Sequence, residues 1–450
     1  MTVLISWPGH LSYDSVIQLH DGRTGYYHSW HPPVMAWLLG LGDTLHPGAG
    51  LFVLFNSALF FGALLSLLWL RRGVSWTAVV VGVILVLLPQ AFLYQTTVWK
   101  DVLFANAAVA GFVCLAHAEG YWRHRSARLC LVAGSVALLS LAALTRQNGA
   151  IVLVIGVIAL GMIAGRKFGA KGAIIHGAVA LIGSTLVVFL ASSILAKRSD
   201  NGEGPRAQLR LLRLYDLSGA VAAQSSLPLS QLEATNPELA KLIRSDGARL
   251  YTPQRNDTLV GSQPLQNALA DTEPAWMAAQ WYDLIGHHPL LYLKVRAVDF
   301  GWVFLTPDIA ACRPVFVGVE GPLGEMQELG LAPRKDGRDL ALQSYASKFM
   351  GTPVFSHVFY AVLALGALIV FVRRRGPGDI AMAAMIVAAL VFTASFFVIS
   401  IACDYRYLYF LDLAAMGGIF YLTLDPDYLF QVVAMWSGSF WELRSEARKS

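Results

Sequence analysis

Long apolar runs separated by short polar segments dominate the chain. Each run could cross about 30 Å of hydrocarbon as a helix that rises about 1.5 Å per residue. The runs cover residues 51–70, 77–95, 102–119, 129–145, 150–166, 173–196, 353–373, 380–401 and 406–423. The pattern predicts an all-α polytopic membrane protein with these nine spans. The opening "MTVLISWPG" is too short to span and lacks a basic n-region, so we interpret it as the end of a truncated tenth helix.

Composition supports a membrane protein and excludes some other classes. Of 450 residues, 56% are hydrophobic and 14% are charged, whereas soluble proteins carry about 25% charged residues. The net charge of +5 is modest, and nothing in the sequence favours nucleic acid as a partner. The four cysteines, Cys114, Cys130, Cys312 and Cys403, have no CxxC spacing, which predicts neither a zinc site nor a redox pair. Cys114 and Cys130 are interpreted as inert core residues.

Basic residues are distributed unevenly among the loops. Lys and Arg concentrate in cytoplasmic loops of membrane proteins. The basic segments are 71–73, 121–128, 165–172, 372–379 and the C-terminal "ELRSEARKS". The opposite, extracytoplasmic face then holds residues 8–50, 94–101, 145–149, 197–352 and 403–407. The alternation predicts a multi-pass protein of the plasma (inner) membrane.

Three parts follow from this orientation. Residues 1–196 form an N-terminal membrane bundle that includes the first external loop. Residues 197–352, rich in turn signals such as "TPQRND", form an external, partly helical loop domain. Within it, 275–305 mixes Trp and Tyr with His287, Lys294 and Arg296, which is typical of helices at a bilayer interface. Residues 353–450 form the C-terminal membrane helices and a cytoplasmic tail.

Ionisable side chains stand at the ends of the spans on the external face. They are Asp14 in the first loop, Lys100 and Asp101 in the second, Arg146 in the third, and Asp404 and Arg406 in the last. Charges at the membrane boundary are costly unless they are paired or functional, so their recurrence predicts one shared site. The alternative is structural: Asp14 caps a helix, and the pairs Lys100–Asp101 and Asp404–Arg406 cap helices and neutralise each other.

Several motifs resemble the GT-C superfamily of polyprenyl-phosphate-sugar-dependent membrane glycosyltransferases, which includes protein O-mannosyltransferases and the aminoarabinose transferase. "PGHLSYDS" and "YHSWHPPVMAWL" are similar to the first external loop of those enzymes. "KD" opening a span, "LTRQNG" closing another, "HHPLLYLKVR" and "DYRYLYFLDL" are weaker similarities. The resemblance implies a GT-C-like bundle of about nine to ten transmembrane helices with an external loop domain. The absent first helix departs from that pattern.

The resemblance also implies roles for residues. Asp14 is the expected catalytic base, which takes the acceptor proton in an inverting transfer. Because the leaving group is a phosphate, the site needs cations rather than a second acid. The substrate- and phosphate-binding set is Lys100, Asp101, Arg146, Asp404 and Arg406, with Gln18, Tyr26, Tyr27, Trp30 and His31 as further substrate contacts. His31 alternatively holds the turn before Pro32. The histidines lack ligand spacing, so neither metal nor cofactor is expected.

The sequence thus predicts an integral membrane glycosyltransferase that uses a polyprenyl-phosphate sugar and acts on a lipid glycan, polysaccharide or protein. One alternative is a transporter or flippase of lipid-linked saccharides, which would place ionisable groups near the mid-bilayer. Another is a polysaccharide polymerase or ligase, whose large external loops carry basic residues. The early Asp14 and the "HPP" motif favour the transferase.

Overall fold

The computed structural model describes residues 2–70, 75–200 and 203–425, and the regular secondary structure of those ranges is helical apart from isolated β-bridges. The predictions for the basic segment 71–73 and for the C-terminal tail lie outside the described residues. The helices up to residue 196 are α1 (Thr2–Ser6), α2 (Tyr13–Thr24), α3 (Val34–Leu45), α4 (Gly50–Leu67), α5 (Trp76–Leu87), α6 (Pro89–Phe92), α7 (Lys100–Gly120), α8 (Arg125–Thr145) and α9 (Ala150–Ala196).

The remaining helices divide between the long segment and the C-terminal membrane helices. They are α10 (Glu203–Ala223), α11 (Ser230–Thr235), α12 (Pro237–Leu242), α13 (Ala248–Leu250), α14 (Asp257–Val260), α15 (Gln263–Ala270), α16 (Pro274–His287), α17 (Pro289–Leu305), α18 (Leu323–Glu328), α19 (Gly337–Ser347), α20 (His357–Arg374), α21 (Asp379–Ile399) and α22 (Tyr409–Thr423). Short 3₁₀ turns follow α4 and α6 and precede α20 and α22, and a π-helical turn lies between α12 and α13.

Six described helices are long and apolar enough to cross a membrane, or seven if the pair Trp76–Leu87 and Pro89–Thr96, bent by 72°, is one span. The chain is therefore a multi-pass membrane protein by its helices, but the predicted count of nine to ten is not confirmed. One difference is α22, where only 15 residues of the run 406–423 are α-helical.

The other difference is α9, whose 47 residues cover two of the predicted runs. Its backbone leaves helical geometry at Gly169, where φ is 70°. A Cβ on Gly161 would lie 3.9 Å from Gly177 Cα, although a straight helix would separate these residues by about 24 Å. The chain therefore turns back at Gly169, and the two arms of α9 run antiparallel against each other.

Helix α7 is the centre of the membrane bundle. It packs against α4, α8, α21 and α22, and 94% of the residues in its most apolar stretch are buried. Its interior is rich in small residues, which let neighbouring helices approach closely in the absence of a strong hydrophobic force between them. The first residues of this central helix, Lys100 and Asp101, therefore lie among the ends of several spans.

The segment 197–352 packs in two places. Residues between 211 and 295 form a hydrophobic cluster of their own, built mainly by α10–α12 and α15–α17. Leu342 and Ala346 of α19 instead join the bundle core, and Met326 of α18 joins a cluster with α2 and α3. The boundaries of an external domain stay a prediction. Arg296, predicted with the interfacial cations, is instead fully buried.

Helices α2 and α3 touch through two glycines. A Cβ on Gly40 would lie 2.2 Å from Gly22 O, and one on Gly22 would lie 2.3 Å from Ala36 O. Both neighbours are backbone atoms and cannot rotate away, so only glycine permits this crossing. The contact matters because α2 carries Asp14 and the turn before α3 carries His31.

Replacing Gly40 with alanine is expected to push α2 and α3 apart and to lower the free energy of unfolding by about 1–3 kcal/mol. The measurement is the thermal midpoint of the purified protein in detergent. Gly62→Ala in α4 is the matched control, because a Cβ there meets nothing within 4 Å. An unchanged midpoint for Gly40→Ala would show that the helices can separate without cost.

Candidate active site

The external loops bring their charged residues together. Asp14 lies in the first turn of α2, Lys100 and Asp101 begin α7, Arg146 follows α8, and Asp404 and Arg406 precede α22. We call these six residues and His31 the charge cluster. Contacts among these residues confirm the prediction that the separate loops form one group.

Asp14 is the most exposed carboxylate of the charge cluster, with 37% of its side chain accessible. Its Oδ2 accepts a hydrogen bond from Arg406 Nη2 at 3.0 Å, and its Oδ1 lies 3.7 Å from His31 Nε2. Burial works against ionisation, but His31 and Arg406 outweigh it and hold the pKa of Asp14 well below its usual range. Asp14 is therefore ionised at neutral pH. Ser12, not Asp14, occupies the N-cap of α2, so the alternative that Asp14 is merely a helix cap is wrong.

His31 connects Asp14 to Lys100. Lys100 Nζ donates to His31 Nδ1 at 2.9 Å, which leaves the imidazole proton on Nε2, facing Asp14. Burial and the neighbouring Lys100 lower the pKa of His31 to about 4, so the ring is neutral at pH 7. Pro32 and Pro33 follow at once, and Pro33 is the N-cap of α3. The ring thus fixes the relative positions of a carboxylate and an amine.

Asp101 joins two buried guanidinium groups. It contacts Arg146 Nη1 directly, and its Oδ2 lies 3.6 Å from Arg406 Nε. The side chain of Asp101 is 2% exposed, that of Arg146 8% and that of Arg406 14%. Charges removed from water to this extent need a partner of opposite sign, and Asp101 is that partner for both arginines. Arg406 Nη2 also lies 3.3 Å from Asp404 Oδ2.

Aromatic rings surround both arginines. The Arg406 guanidinium lies 5.0 Å from the centre of the Trp99 ring. The Arg146 guanidinium lies 5.3 Å from the ring centre of Phe396 and 5.5 Å from that of Tyr407. Such cation–π contacts stabilise a guanidinium where water is scarce. The cations are consequently held in place before any ligand arrives.

Arg255 is a member of this region that the sequence analysis missed. Its Nη2 donates to Asp404 Oδ1 at 2.9 Å and to Ala311 O at 3.0 Å. It lies in "TPQRND", a turn signal of the long segment with no apolar pattern to indicate where the loop folds. No local feature distinguishes it from other loop arginines.

A disulfide between Cys312 and Cys403 fastens the last loop. Beside it, Tyr405 N–H donates to Cys312 O and Cys403 N–H donates to Gln254 O, both at 2.8 Å. The search for CxxC spacing could not find this pair, because the two cysteines are 91 residues apart in the sequence. Their shared placement on the predicted external face was the available signal, since disulfides form in oxidising compartments. Cys130 is exposed on α8, so its interpretation as a core residue is wrong, and Cys114 is half-buried.

The remaining predicted contacts lie at different distances from the charge cluster. Gln18, one turn after Asp14, is buried and donates to Asp14 O at 3.2 Å. Trp30 is 43% exposed, and its carbonyl accepts from Gln208 Nε2. Tyr26 is exposed beside His28, and Tyr27 is buried with its N–H bonded to Arg198 O. The structure thus keeps Gln18 close to Asp14 but places both tyrosines against other partners.

Within the ranges that the structure describes, no group of three or more His, Cys, Asp or Glu residues is arranged to hold a metal ion. The chemistry available to the charge cluster is that of one accessible carboxylate beside fixed cations. Comparison with known proteins gives no match to this chain: no family model, no curated protein and no solved structure matches it. What the site does must therefore be inferred from its own residues.

Proposed function

We propose that the chain is a glycosyltransferase of the plasma (inner) membrane. It moves a monosaccharide from a polyprenyl-phosphate carrier to a lipid glycan, polysaccharide or protein on the extracytoplasmic face, without a cofactor. The observation that carries this proposal is the contact between the accessible carboxylate of Asp14 and the largely buried guanidinium of Arg406, with Lys100 held nearby through His31. The resemblance of the first loop to GT-C enzymes agrees with it.

The cations of the site suit such a donor. Lys100, Arg146, Arg406 and Arg255 face Asp14, Asp101 and Asp404, and Arg255 also pairs with the exposed Asp257. A sugar linked through a phosphodiester to a lipid carries one negative charge. Lys100 and Arg406 could receive that phosphate beside Asp14, and charge complementarity of this kind favours recognition of the donor.

The proposed reaction uses Asp14 as a general base. An acceptor hydroxyl gives its proton to the Asp14 carboxylate while its oxygen forms a bond to C1 of the sugar. The bond between C1 and the phosphate oxygen breaks, and its electron pair leaves on the phosphate. Arg406 and Lys100 stabilise that charge, so no acid is needed to protonate the leaving group. Attack opposite the leaving phosphate inverts the anomeric configuration.

The contact between Asp14 and Arg406 suggests how donor binding prepares the base. Arg406 Nη2 donates to Asp14 Oδ2 and, together with His31, keeps that carboxylate weakly basic. A donor phosphate would compete for the same guanidinium because both are oxyanions. Asp14 then loses part of this stabilisation, and its affinity for a proton rises once the donor is bound.

Helix α3 offers the donor lipid a lateral approach. It has 12 residues, too few to span a bilayer, and begins at Val34, three residues after His31. Trp37, Leu41 and Leu45 recur every four residues and are 44%, 51% and 77% exposed. A stripe of large apolar side chains on a short helix suits a position along the membrane surface. A polyprenyl chain could therefore reach the charge cluster from the bilayer.

The first test compares wild-type cells, a deletion strain and the deletion strain complemented with the wild-type gene. Mass spectrometry measures envelope glycans and polyprenyl-linked sugars, and membrane-impermeant periodate reports which leaflet holds the carrier. We expect deletion to remove one monosaccharide from one glycan class. The corresponding polyprenyl-monophosphate sugar should accumulate where periodate can oxidise it, and complementation should reverse both changes.

The alternatives give different results in the same experiment. Loss of a flippase would leave the lipid-linked sugar protected from periodate on the cytoplasmic leaflet. Loss of a polymerase or ligase would accumulate a diphosphate-linked oligosaccharide. Either result would contradict the proposed transfer.

A further inference from the structure

A groove opens on the lipid-facing side of the bundle, away from the charge cluster. It lies between the first arm of α9 and the pair α20 and α21, is open along one side, and has a volume of about 580 Å³. Its apolar walls include Ile158, Met162, Leu368, Val372, Ala383 and Ala384. Ile158, Met162 and Val372 are more than half exposed, so neighbouring helices do not fill the groove.

One end of the groove is basic. Arg166 and Arg375 line it there, next to each other: Arg166 Nη1 donates to Arg375 O at 3.4 Å. Arg375 is exposed, and its Nε donates to Val372 O. Its two terminal nitrogens bond to none of the residues that the structure describes and can therefore bind a ligand. Arg166 is 34% exposed.

The acidic groups at this end already have partners. Glu119 binds Arg166 at 3.2 Å through Oε1 and accepts from Gly378 N–H at 2.9 Å through Oε2. Asp379 binds Arg374 and accepts from Gly376 N–H. With Glu119 paired with Arg166, and both Asp379 and Asp425 paired with Arg374, none of the described carboxylates contacts Arg375. The end of the groove therefore favours an anion.

The length of the groove limits the occupant to one leaflet. From Arg166 to Ile155 the α9 arm rises about 16 Å, roughly half of a 30 Å hydrocarbon core. Both arginines belong to the segments 165–172 and 372–379, which the charge distribution predicts to be cytoplasmic. Basic pockets between membrane helices on that side suit anionic head groups.

We propose that this groove binds one anionic phospholipid of the cytoplasmic leaflet. Its phosphate contacts Arg166 and Arg375, and one acyl chain lies along the apolar walls. This site is separate from the charge cluster, and it does not depend on the proposed transfer reaction.

The test is native mass spectrometry of the delipidated full chain, titrated with phosphatidylglycerol or with phosphatidylethanolamine of the same acyl chains. We expect one phosphatidylglycerol to bind preferentially. Arg166→Gln combined with Arg375→Gln should weaken that binding about thirtyfold, because each basic group near the surface adds a several-fold preference. Arg125→Gln with Lys171→Gln removes the same charge from exposed positions outside the groove and should leave binding unchanged.

Ala384→Phe provides an independent variant that keeps every charge and fills the groove, and it should also abolish the bound phosphatidylglycerol. Equal retention of the two lipids by the wild-type chain would overturn the proposal. So would unchanged phosphatidylglycerol binding in both groove variants. Tighter binding of undecaprenyl phosphate than of phosphatidylglycerol at this groove would also overturn it, because the occupant would then be the carrier lipid.

Discussion

Replacing Asp14 with asparagine should reduce sugar transfer about a thousandfold while leaving the donor bound. A general base contributes roughly 10²–10⁴-fold to rate, and asparagine keeps the shape of aspartate but cannot accept the proton. Donor affinity should stay the same or rise, because the substitution removes a negative charge that competes with phosphate for Arg406. The measurement is transfer and donor binding by the purified chain in lipid nanodiscs, with a labelled polyprenyl-phosphate sugar.

Asp271→Asn is the matched control for this substitution. Asp271 is exposed after α15 and lies outside the charge cluster, so the variant should transfer sugar at the wild-type rate. If Asp14→Asn weakens donor binding as strongly as it weakens transfer, Asp14 serves to hold Arg406 and is not the base. Full transfer by the variant would remove Asp14 from the mechanism.

The pH profile checks the same assignment. His31 and Arg406 overcome the effect of burial and lower the pKa of Asp14, so its carboxylate is ionised throughout pH 5–8. The rate constant kcat/KM should therefore show no loss on the acidic side of this window. A loss with a midpoint near pH 6.5 would indicate a base with the ordinary pKa of histidine.

Replacing Arg296 with methionine should destabilise the protein by about 3–5 kcal/mol, because it leaves buried partners without their cation. Arg296 is fully buried, and its Nη1 lies 3.0 Å from Asp216 Oδ1 and 3.3 Å from Asp299 Oδ2. It also donates to the carbonyls of Phe397 and Ser400 at the end of α21. The measurement is the thermal midpoint in detergent at pH 8.

Protonation should reduce this cost. Burial raises the pKa of Asp299 to about 7 and raises that of Asp216, so acid conditions neutralise the carboxylates that Arg296 would otherwise balance. The difference between variant and wild type should therefore be smaller at pH 5 than at pH 8. Arg249→Met is the control, since Arg249 is 68% exposed and pairs only at the surface with Asp246. An equal loss in both variants would contradict a special role for the buried group.

The sequence predicted the position of the charge cluster better than the number of spans. Asp14 and Arg406 are 392 residues apart, yet both stand at membrane boundaries on one predicted face, and that constraint alone brings them near each other. Hydropathy separated the runs 150–166 and 173–196 correctly, since the chain turns back between them at Gly169. It could not show the 72° bend within the run 77–95 or the 3₁₀ turn that begins the run 406–423, because both depend on local backbone geometry.

The long segment was the least predictable part. Arg255, the disulfide at Cys312 and the buried Arg296 all depend on how its loops fold against the bundle. Hydrophobic periodicity describes which face of a helix is buried, but it carries no information on which loop meets which. The amphipathic pattern of 275–305 therefore suggested an interface for Arg296, where tertiary packing placed an interior ion pair.

The pairing of Asp101 with Arg146 also bears on how the protein enters the membrane. These residues stand at the two ends of the α7–α8 hairpin, so the buried carboxylate of Asp101 meets its counter-charge within 45 positions of the chain. Arg406, the second arginine that contacts Asp101, is synthesised only much later, in the loop before α22. A nascent chain can thus insert this hairpin with the Asp101–Arg146 pair already formed, and the charge cluster is completed once synthesis passes the loop before α22.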